Sequence, residues 1–324
     1  MGRILITGGA GFIGSHVVRL LVTTGDSPLR VLDDFSTGRR ENLAGLEKGV
    51  EVVEGDVRDE RAVSEAMDGA DAVIHLAAVA SVPESIADPA TTNAVNVGGT
   101  LNLLEGARKA GVRRFVFASS TAVYGEREKL PVSEEDPKEP LSPYAASKLI
   151  GEIYGFAYHR LHGLPFTALR YFNVFGSRQD ENSPYAAVIP LFLGRIERGE
   201  APVIFGDGKQ SRDFIHVSDV AEANRLALER DEAVGRVFNI GRGEAIDLNR
   251  LAALIGRAAG REIPPRREAP RPGDIIRSRA NIERARRELG FEPRTGLEEG
   301  LRETLAWYRR EVAGRGKEAL RDRP

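Results

Sequence analysis

Tyr144 and Lys148 stand four residues apart in a stretch that reads as helix, so both side chains fall on one face. A free phenol, with a pKa of about 10, holds its proton at neutral pH and is a poor base. An ammonium beside it favours the phenolate and moves that value toward the range of a working proton acceptor. Upstream, Ser119-Ser120-Thr121 closes an apolar strand pattern. In an open parallel sheet, strand ends of this kind are where loops converge on ligand. A hydroxyl there can hydrogen-bond a substrate oxygen that is losing its proton. Tyr and Lys at this spacing suit many helices, so the pairing with the serines and with a second motif carries the argument.

That second motif is Gly8-Gly9-Ala10-Gly11-Phe12-Ile13-Gly14, which follows the first strand and opens the first helix. Gly8, Gly11 and Gly14 give G-x-x-G-x-x-G, one residue looser than the commonest dinucleotide fingerprint. Gly8 allows the tight turn, Gly11 lets backbone amides approach a pyrophosphate, and Gly14 lets helix and strand pack closely. The helix N-terminus offers unpaired N–H groups and a positive dipole end to the anion. Asp33 ends the next strand, nineteen residues after Gly14, near the position of an acid that binds the adenosine ribose. An acid there repels a 2′-phosphate, so the expected cofactor is NAD rather than NADP. Asp34 is adjacent and can share the role. Asp56 reads either as an acceptor from the adenine amino group or as a turn or cap residue. Leu76-Ala77-Ala78 ends a strand with small residues that let a flat cofactor lie across the sheet edge. The positive nicotinamide ring of NAD would join Lys148 in favouring the Tyr144 phenolate.

The elements that must position these groups alternate. Strand patterns at 3–7, 29–33, 50–54, 72–76 and 114–119 are separated by helical patterns at 16–24 (begun near Gly11), 59–67, 95–110 and 144–162. Strands alternating with helices predict a parallel sheet covered on both faces, and strands apolar along their whole length fit that burial. Further strands are expected at 167–171 and 237–240. Pro and Gly cluster at Ser183-Pro184, Pro202, 206–208 and 263–273, where a smaller lobe is expected. The fold class is α/β: a doubly wound parallel sheet with a smaller, interleaved C-terminal α/β substrate domain. The nucleotide-binding part is expected over 1–172 with a returning segment near 213–242, and the substrate part over 173–212 and 243–324.

Composition narrows the classes. The 324 residues are 41% hydrophobic and 29% charged, an ordinary globular balance. A formal net charge of -2 gives no footprint for nucleic acid or an anionic membrane. The Arg-rich run at 284–287 reads as a solvated helix face. With no cysteine, disulfides, thiolate zinc sites and cysteine nucleophiles are excluded. The five histidines show no ligand spacing, so no metal is expected. No apolar run reaches the roughly 18 residues of a membrane span. Met1-Gly2-Arg3 leads straight into Ile4-Leu5-Ile6 without a leader pattern, so a cytoplasmic location is expected.

Several further segments carry a family resemblance: Ser15-His16 after the glycine loop, Val123-Tyr124-Gly125, Leu141-Ser142-Pro143, Arg170-Tyr171-Phe172-Asn173, 211–217 and Arg271-Pro272-Gly273-Asp274. With the motifs above, the chain resembles, nearly end to end, an extended short-chain dehydrogenase/reductase. Within that group it is similar to the UDP-glucose and UDP-N-acetylglucosamine 4-epimerases. The resemblance implies that Ser120 and Tyr144 handle the sugar 4-hydroxyl, and that Lys148 binds the nicotinamide ribose and tunes Tyr144. It implies a cofactor set completed by Phe12, Ile13, Ser36, Thr37, Gly38, Val57, Ala80, Ser119 and Tyr171, with Phe172 near the nicotinamide. Asn173, Arg212 and Arg271 fall to the diphosphate and Asp274 to a uridine ribose; the guanidinium fork suits phosphate oxygens. An ion pair with Asp213 is the other reading of Arg212. Asp219 is expected to cap the helix after it. Ala80, Ser81, Thr121, Gln179, Ala187 and Val188 match the sugar site, and Ser278 stands where some members carry a bulky tyrosine, which leaves room for a 2-acetamido group.

The implied reaction is a transient oxidation at C4 by bound NAD. The keto sugar then turns about its diphosphate anchor, and hydride returns to the other face. A homodimer through apolar faces of the helices at 95–110 and 144–162 is expected as in relatives; burial within one monomer is the alternative. Two rivals stand beside the UDP-hexose 4-epimerase. A 4,6-dehydratase on this fold would carry Asp-Glu where Thr121-Ala122 stand, and UDP-glucuronate epimerases or decarboxylases would need a cation or hydroxyl cluster for the sugar carboxylate. A non-catalytic NAD-sensing protein would usually have lost the Tyr or Lys that persist here.

Overall fold

Short β-branched and aliphatic runs make the strands, and the inner ones are buried on both sides. In the computed structural model, which describes residues 2–25, 27–180, 186–270 and 275–321 with side chains through Glu311, seven strands form one sheet. They are β1 (Arg3–Thr7), β2 (Leu29–Asp33), β3 (Val50–Glu54), β4 (Ala70–His75), β5 (Arg114–Ser120), β6 (Phe166–Tyr171) and β11 (Arg236–Ile240). Their order is β11-β6-β5-β4-β1-β2-β3, every pairing parallel. The chain order reverses between β1 and β4, and the crevice at such a switch point is where a doubly wound sheet binds its ligand. This is the Rossmann-type α/β architecture expected from the alternation.

Successive residues of each strand enter opposite cores. Val116, Ala118 and Leu169 pack with α1 (Phe12–Thr24) and α8 (Val217–Glu229). Phe115, Phe117, Phe166 and Ala168 pack on the other face with α2 (Glu60–Met67) and α5 (Thr100–Ala110). On that second face α6 (Pro143–His162) lies very close to the sheet. A Cβ on Gly151 would come within 2.4 Å of the Phe117 ring, and one on Gly155 within 2.0 Å of Phe166. These glycines bring the helix carrying Tyr144 and Lys148 down onto β5. Ser142 caps it, accepting from the Ala145 N–H at 3.2 Å, with Pro143 in the first turn.

Three elements differ from the sequence reading. The fourth strand is 70–75 and ends one residue before Leu76. The helix expected from 95 is preceded by α3 (Val82–Ala87) and α4 (Pro89–Asn93), and it passes through a π-helical turn, Ala94–Gly99, before α5. Such turns recur at functional sites, and no periodicity argument detects one. Asp219 does not cap α8: His216 is at the N-cap, and the Asp219 carboxylate in the first turn accepts from the backbone N–H groups of Arg294 and Thr295. It still favours the positive helix end, while tying down a distant loop.

The remaining elements are short: β7 (Asn173–Phe175), β8 (Val203–Phe205), β9 (Ser211–Arg212), β10 (Phe214–His216), β12 (Ile246–Asp247) and β13 (Arg266–Glu268), with α7 (Val188–Glu197), α9 (Leu248–Ala259) and α10 (Leu297–Arg321). The strands pair as β10-β7, β12-β9 and β13-β8. Phe175, Phe192, Ile204, Phe214, Leu251, Ile255, Leu301 and Leu305 form a separate apolar cluster there. Among the described residues, no helix is long and apolar enough to cross a membrane.

Candidate active site

The end of β5 and the first turns of α6 face each other. Tyr144 is half-buried, with its hydroxyl beside the Ser120 side chain. Burial pushes the phenol above its ordinary value, and the Ser120 hydroxyl opposes that in part. The chain alone therefore does not supply the depression expected from Lys148. The Lys148 ammonium is buried, donates to the Ala118 carbonyl at 2.8 Å and lies 5.9 Å from the Tyr144 ring centroid. Burial lowers Lys148 to about 8. A further positive charge beside the phenol is needed to favour phenolate.

The scaffold behind these groups is polar and buried. Asn96, in the π-helical turn, accepts from the Val79 N–H at 2.8 Å and donates to the Ser147 hydroxyl at 2.9 Å. Ser147 in turn donates to the Tyr144 carbonyl at 2.8 Å. His75 sits between the Thr7 and Thr100 hydroxyls at 2.7 and 2.9 Å, and burial lowers it to about 3. Sequence reasoning missed Asn96 and His75, whose partners are far away along the chain.

The glycine loop forms a cradle that side chains would fill. Gly8 has φ +67, and a Cβ there would meet the Ala77 backbone N at 2.8 Å; a Cβ on Gly14 would meet Gly8 O at 2.1 Å. Gly11 is the N-cap of α1 with no side-chain cap, so first-turn N–H groups at Phe12 and Ile13 receive no side-chain acceptor. These features fit a dinucleotide pyrophosphate.

Asp33, at the end of β2, accepts from the Ala10 and Phe35 N–H groups at 2.8 and 2.9 Å. Each of its oxygens keeps a lone pair for a ribose hydroxyl. Burial raises its pKa, and the backbone donors oppose this. Asp34 is exposed and receives the Ser36 hydroxyl at 2.6 Å; Ser36 and Thr37 are exposed, and Gly38 is close-packed on Asp33. The Asp56 carboxylate is held by Arg58, whose Nε donates at 2.9 Å, as a turn residue would be. Leu76, Ala77 and Ala78 are half-buried at the crevice, and Ala80 is exposed beyond them.

Three expected cofactor contacts have committed side chains. Val57 is buried against Gly99, Tyr171 donates to Asn224 Oδ1 at 2.9 Å, and Ser119 donates to Glu152. Phe172 packs with Val123, Tyr124 and Val132.

A cavity of about 860 Å³ opens beside these groups. Ala122, Gly125, Ser142 and Ala145 form the wall next to Tyr144; Asn173, Gln179, Ala187, Val188 and Arg212 are among those opposite. Asn173 donates to the Asp213 carbonyl at 2.9 Å, and Gln179 to the Val174 carbonyl at 3.2 Å, while Gln179 Oε1 is buried with no partner. Ser81 caps α3, accepting from the Glu84 N–H, and Thr121 follows Ser120 in a 3-10 turn. Arg212 does not pair with Asp213: the Asp213 carboxylate is fully buried and accepts from the N–H groups of Arg242, Gly243 and Ala280. Ser278 is buried behind Ser211, to whose carbonyl its N–H donates at 3.0 Å, and its Oγ has no partner. It is not on the cavity wall proper. Arg271 and Asp274 lie outside the described residues. The wall also carries Phe205, Arg195 and Arg266, which no sequence motif marked.

A profile of the NAD dependent epimerase/dehydratase family matches residues 4–241. The fold is similar to a UDP-N-acetylglucosamine 4-epimerase from Methanobrevibacter ruminantium M1 in complex with UDP-N-acetylmuramic acid. The identity is 41% and the TM-score 0.92, over 95% of this chain and 98% of that one. It is equally similar to a UDP-glucose 4-epimerase with UDP-glucose from Thermotoga maritima, at 39% identity and TM-score 0.91, over 96% and 99%. A dTDP-glucose 4,6-dehydratase from Streptomyces niveus is 37% identical over 95% of this chain and 93% of its own length. The chain belongs to the NAD dependent epimerase/dehydratase family. It is an NAD-dependent enzyme acting on nucleotide sugars.

Proposed function

We propose that the chain is a UDP-hexose 4-epimerase that interconverts UDP-glucose and UDP-galactose and also accepts the N-acetyl pair. The carrying observation is the approach of the Ser120, Tyr144 and Lys148 side chains at the end of β5, beside a cavity that Arg212 also lines. Held by the glycine loop and Asp33, NAD would supply the hydride acceptor and donor for the sugar C4. Tyr144 then accepts the O4 proton, Ser120 holds the same oxygen, and Lys148 supplies positive charge close to the Tyr144 ring. Arg212 holds the diphosphate by its planar fork. Inversion requires the keto sugar to turn while its diphosphate stays fixed. Aliphatic wall residues such as Val82, Val188 and Leu191 offer no directional bonds to resist that turn.

Elimination of water needs an acid–base pair beside the sugar. Thr121 and Ala122 follow Ser120, and among the described residues Glu268 is the only carboxylate on the cavity wall, paired with Arg266 at 2.6 Å. That disfavours a 4,6-dehydratase. The N-acetyl activity rests on the small side chain of Ser278 just behind the wall, where a bulkier one would press Ser211 and the adjoining Arg212 into the cavity. A panel of UDP-glucose, UDP-galactose, both N-acetyl analogues, UDP-glucuronate and dTDP-glucose, with products resolved by chromatography, tests the reading. C4 epimers of the UDP-hexoses are expected. A 4-keto-6-deoxy product, or turnover of UDP-glucuronate alone, would overturn it. Ser278→Tyr is expected to abolish turnover of the N-acetyl sugars selectively, and equal loss on both classes counts against that part. The same reading includes a homodimer through α6, where Ile153 and Leu161 are 60% and 76% exposed.

A further inference from the structure

Three residues of α6 at four-residue spacing each grip the end of β5. Tyr144 meets Ser120, Lys148 donates to the Ala118 carbonyl, and Glu152 Oε1 accepts from the Ser119 hydroxyl at 2.5 Å. The first two belong to the proposed chemistry. Glu152 touches neither cavity nor glycine loop, and a buried carboxylate there needs a reason.

Its charge is met by Arg170 on the neighbouring strand β6. The guanidinium forks both carboxylate oxygens, at 2.8 Å to Oε1 and 2.6 Å to Oε2, with side chains 3% and 4% exposed. Arg170 Nη1 also donates to the Tyr124 hydroxyl at 2.8 Å, and Tyr124 donates to Asn239 Oδ1 at 2.6 Å. A buried ion pair roughly breaks even against an apolar replacement of the same volume, so stability alone does not account for one. What it adds is direction. Consecutive strand residues point to opposite faces, so fastening Ser119 toward α6 fixes how Ser120 is presented one residue later. The rest of this interface is apolar, with Gly151 and Gly155 against Phe117 and Phe166 and Phe156 edge-on to Phe166, and carries no directional bond.

We propose that Glu152, clamped by Arg170 and bonded to Ser119, is a positioning residue that sets the contact between the Ser120 and Tyr144 hydroxyls. This rests on the reading of Ser120 and Tyr144 as the acid–base groups. The NAD-bound enzyme and its Ser119→Ala, Ser119→Thr and Glu152→Gln variants are compared in two ways. The first is kcat and KM on the best UDP-sugar. The second is ionisation of Tyr144, followed by tyrosinate absorbance with each variant's Tyr144→Phe form subtracted. Lys148 on α6 and Tyr171 on β6 are the titratable groups that face Tyr144.

Ser119→Ala and Glu152→Gln should lower kcat roughly ten- to a hundredfold, with KM within about twofold. Tyr144 should ionise at higher pH in both, because the Ser120 contact that favours phenolate loosens. Ser119→Thr, which keeps the hydroxyl, should restore both. Wild-type ionisation and kcat in a folded Ser119→Ala protein would overturn the proposal. So would a loss of kcat matched by loss of thermal stability with Tyr144 ionisation unmoved. The titration needs no sugar, so it stays readable if the assigned substrate is wrong.

Discussion

On the β5–α6 side of the cleft, Lys148, Ser119, Ser120 and Ser147 already hold hydrogen bonds within the protein. On the facing side, Gln179 Oε1 and, behind the wall, Ser278 Oγ are buried with no partner. The first arrangement places its dipoles before any ligand arrives, so little reorganisation is left for the chemical step. The second keeps hydrogen-bonding capacity in reserve, and an unmet buried acceptor gains most from a ligand donor. On the proposed reading, one side serves a fixed reaction and the other the choice among related sugars.

The comparison breaks hardest at Tyr144. Tyr144→Phe removes the proton acceptor and leaves the far wall intact. Turnover should fall by roughly 10²–10⁴-fold, while UDP-sugar affinity, measured by calorimetry, stays near wild type. Loss of affinity with turnover per bound substrate preserved would merge the two sides. Arg212→Ala is the reverse test. Steady-state kinetics should show KM raised on the order of tenfold or more with kcat moved far less, the signature of lost uniform binding.

A smaller effect separates the regions by pH. Burial holds His75, under the reaction side, at about 3. The unfolded chain takes up that proton from about 6.5 downward, so His75 contributes stability at neutral pH that is lost as pH falls. Asp213, behind the far wall, is pushed up to about 6 by burial. Its ordinary value is 3.8, so between these values the folded state binds the extra proton and stability is lost as pH rises. Each contribution is on the order of a few kcal/mol. Thermal melts between pH 4.5 and 7 should show a flatter acid-side loss in His75→Gln and a steeper one in Asp213→Asn. Slopes changing in the same direction would refute this assignment.

Much of the reaction side was legible because its signals are local. The G-x-x-G-x-x-G loop, Asp33 and Tyr144 with Lys148 each lie within one turn or one helix. Glu152 lies eight residues after Tyr144 on the same stripe, but no sequence motif marked it, and only Arg170 and Ser119 give it meaning. Asp56 and Arg212 each had two open readings. The structure turns Asp56 toward Arg58 and turns Asp213 away from Arg212.

By itself the sequence determined the alternation of buried strands and helices, the anion-binding turn and the four-residue spacing of phenol and ammonium, because backbone sterics and helical period act between near neighbours. Only the tertiary structure decided the direction in which burial moves the Tyr144 phenol, the grip of Glu152 on Ser119 and the shape of the cavity beside them. Desolvation, hydrogen-bond partnership and cavity walls depend on residues that the chain brings together from far apart.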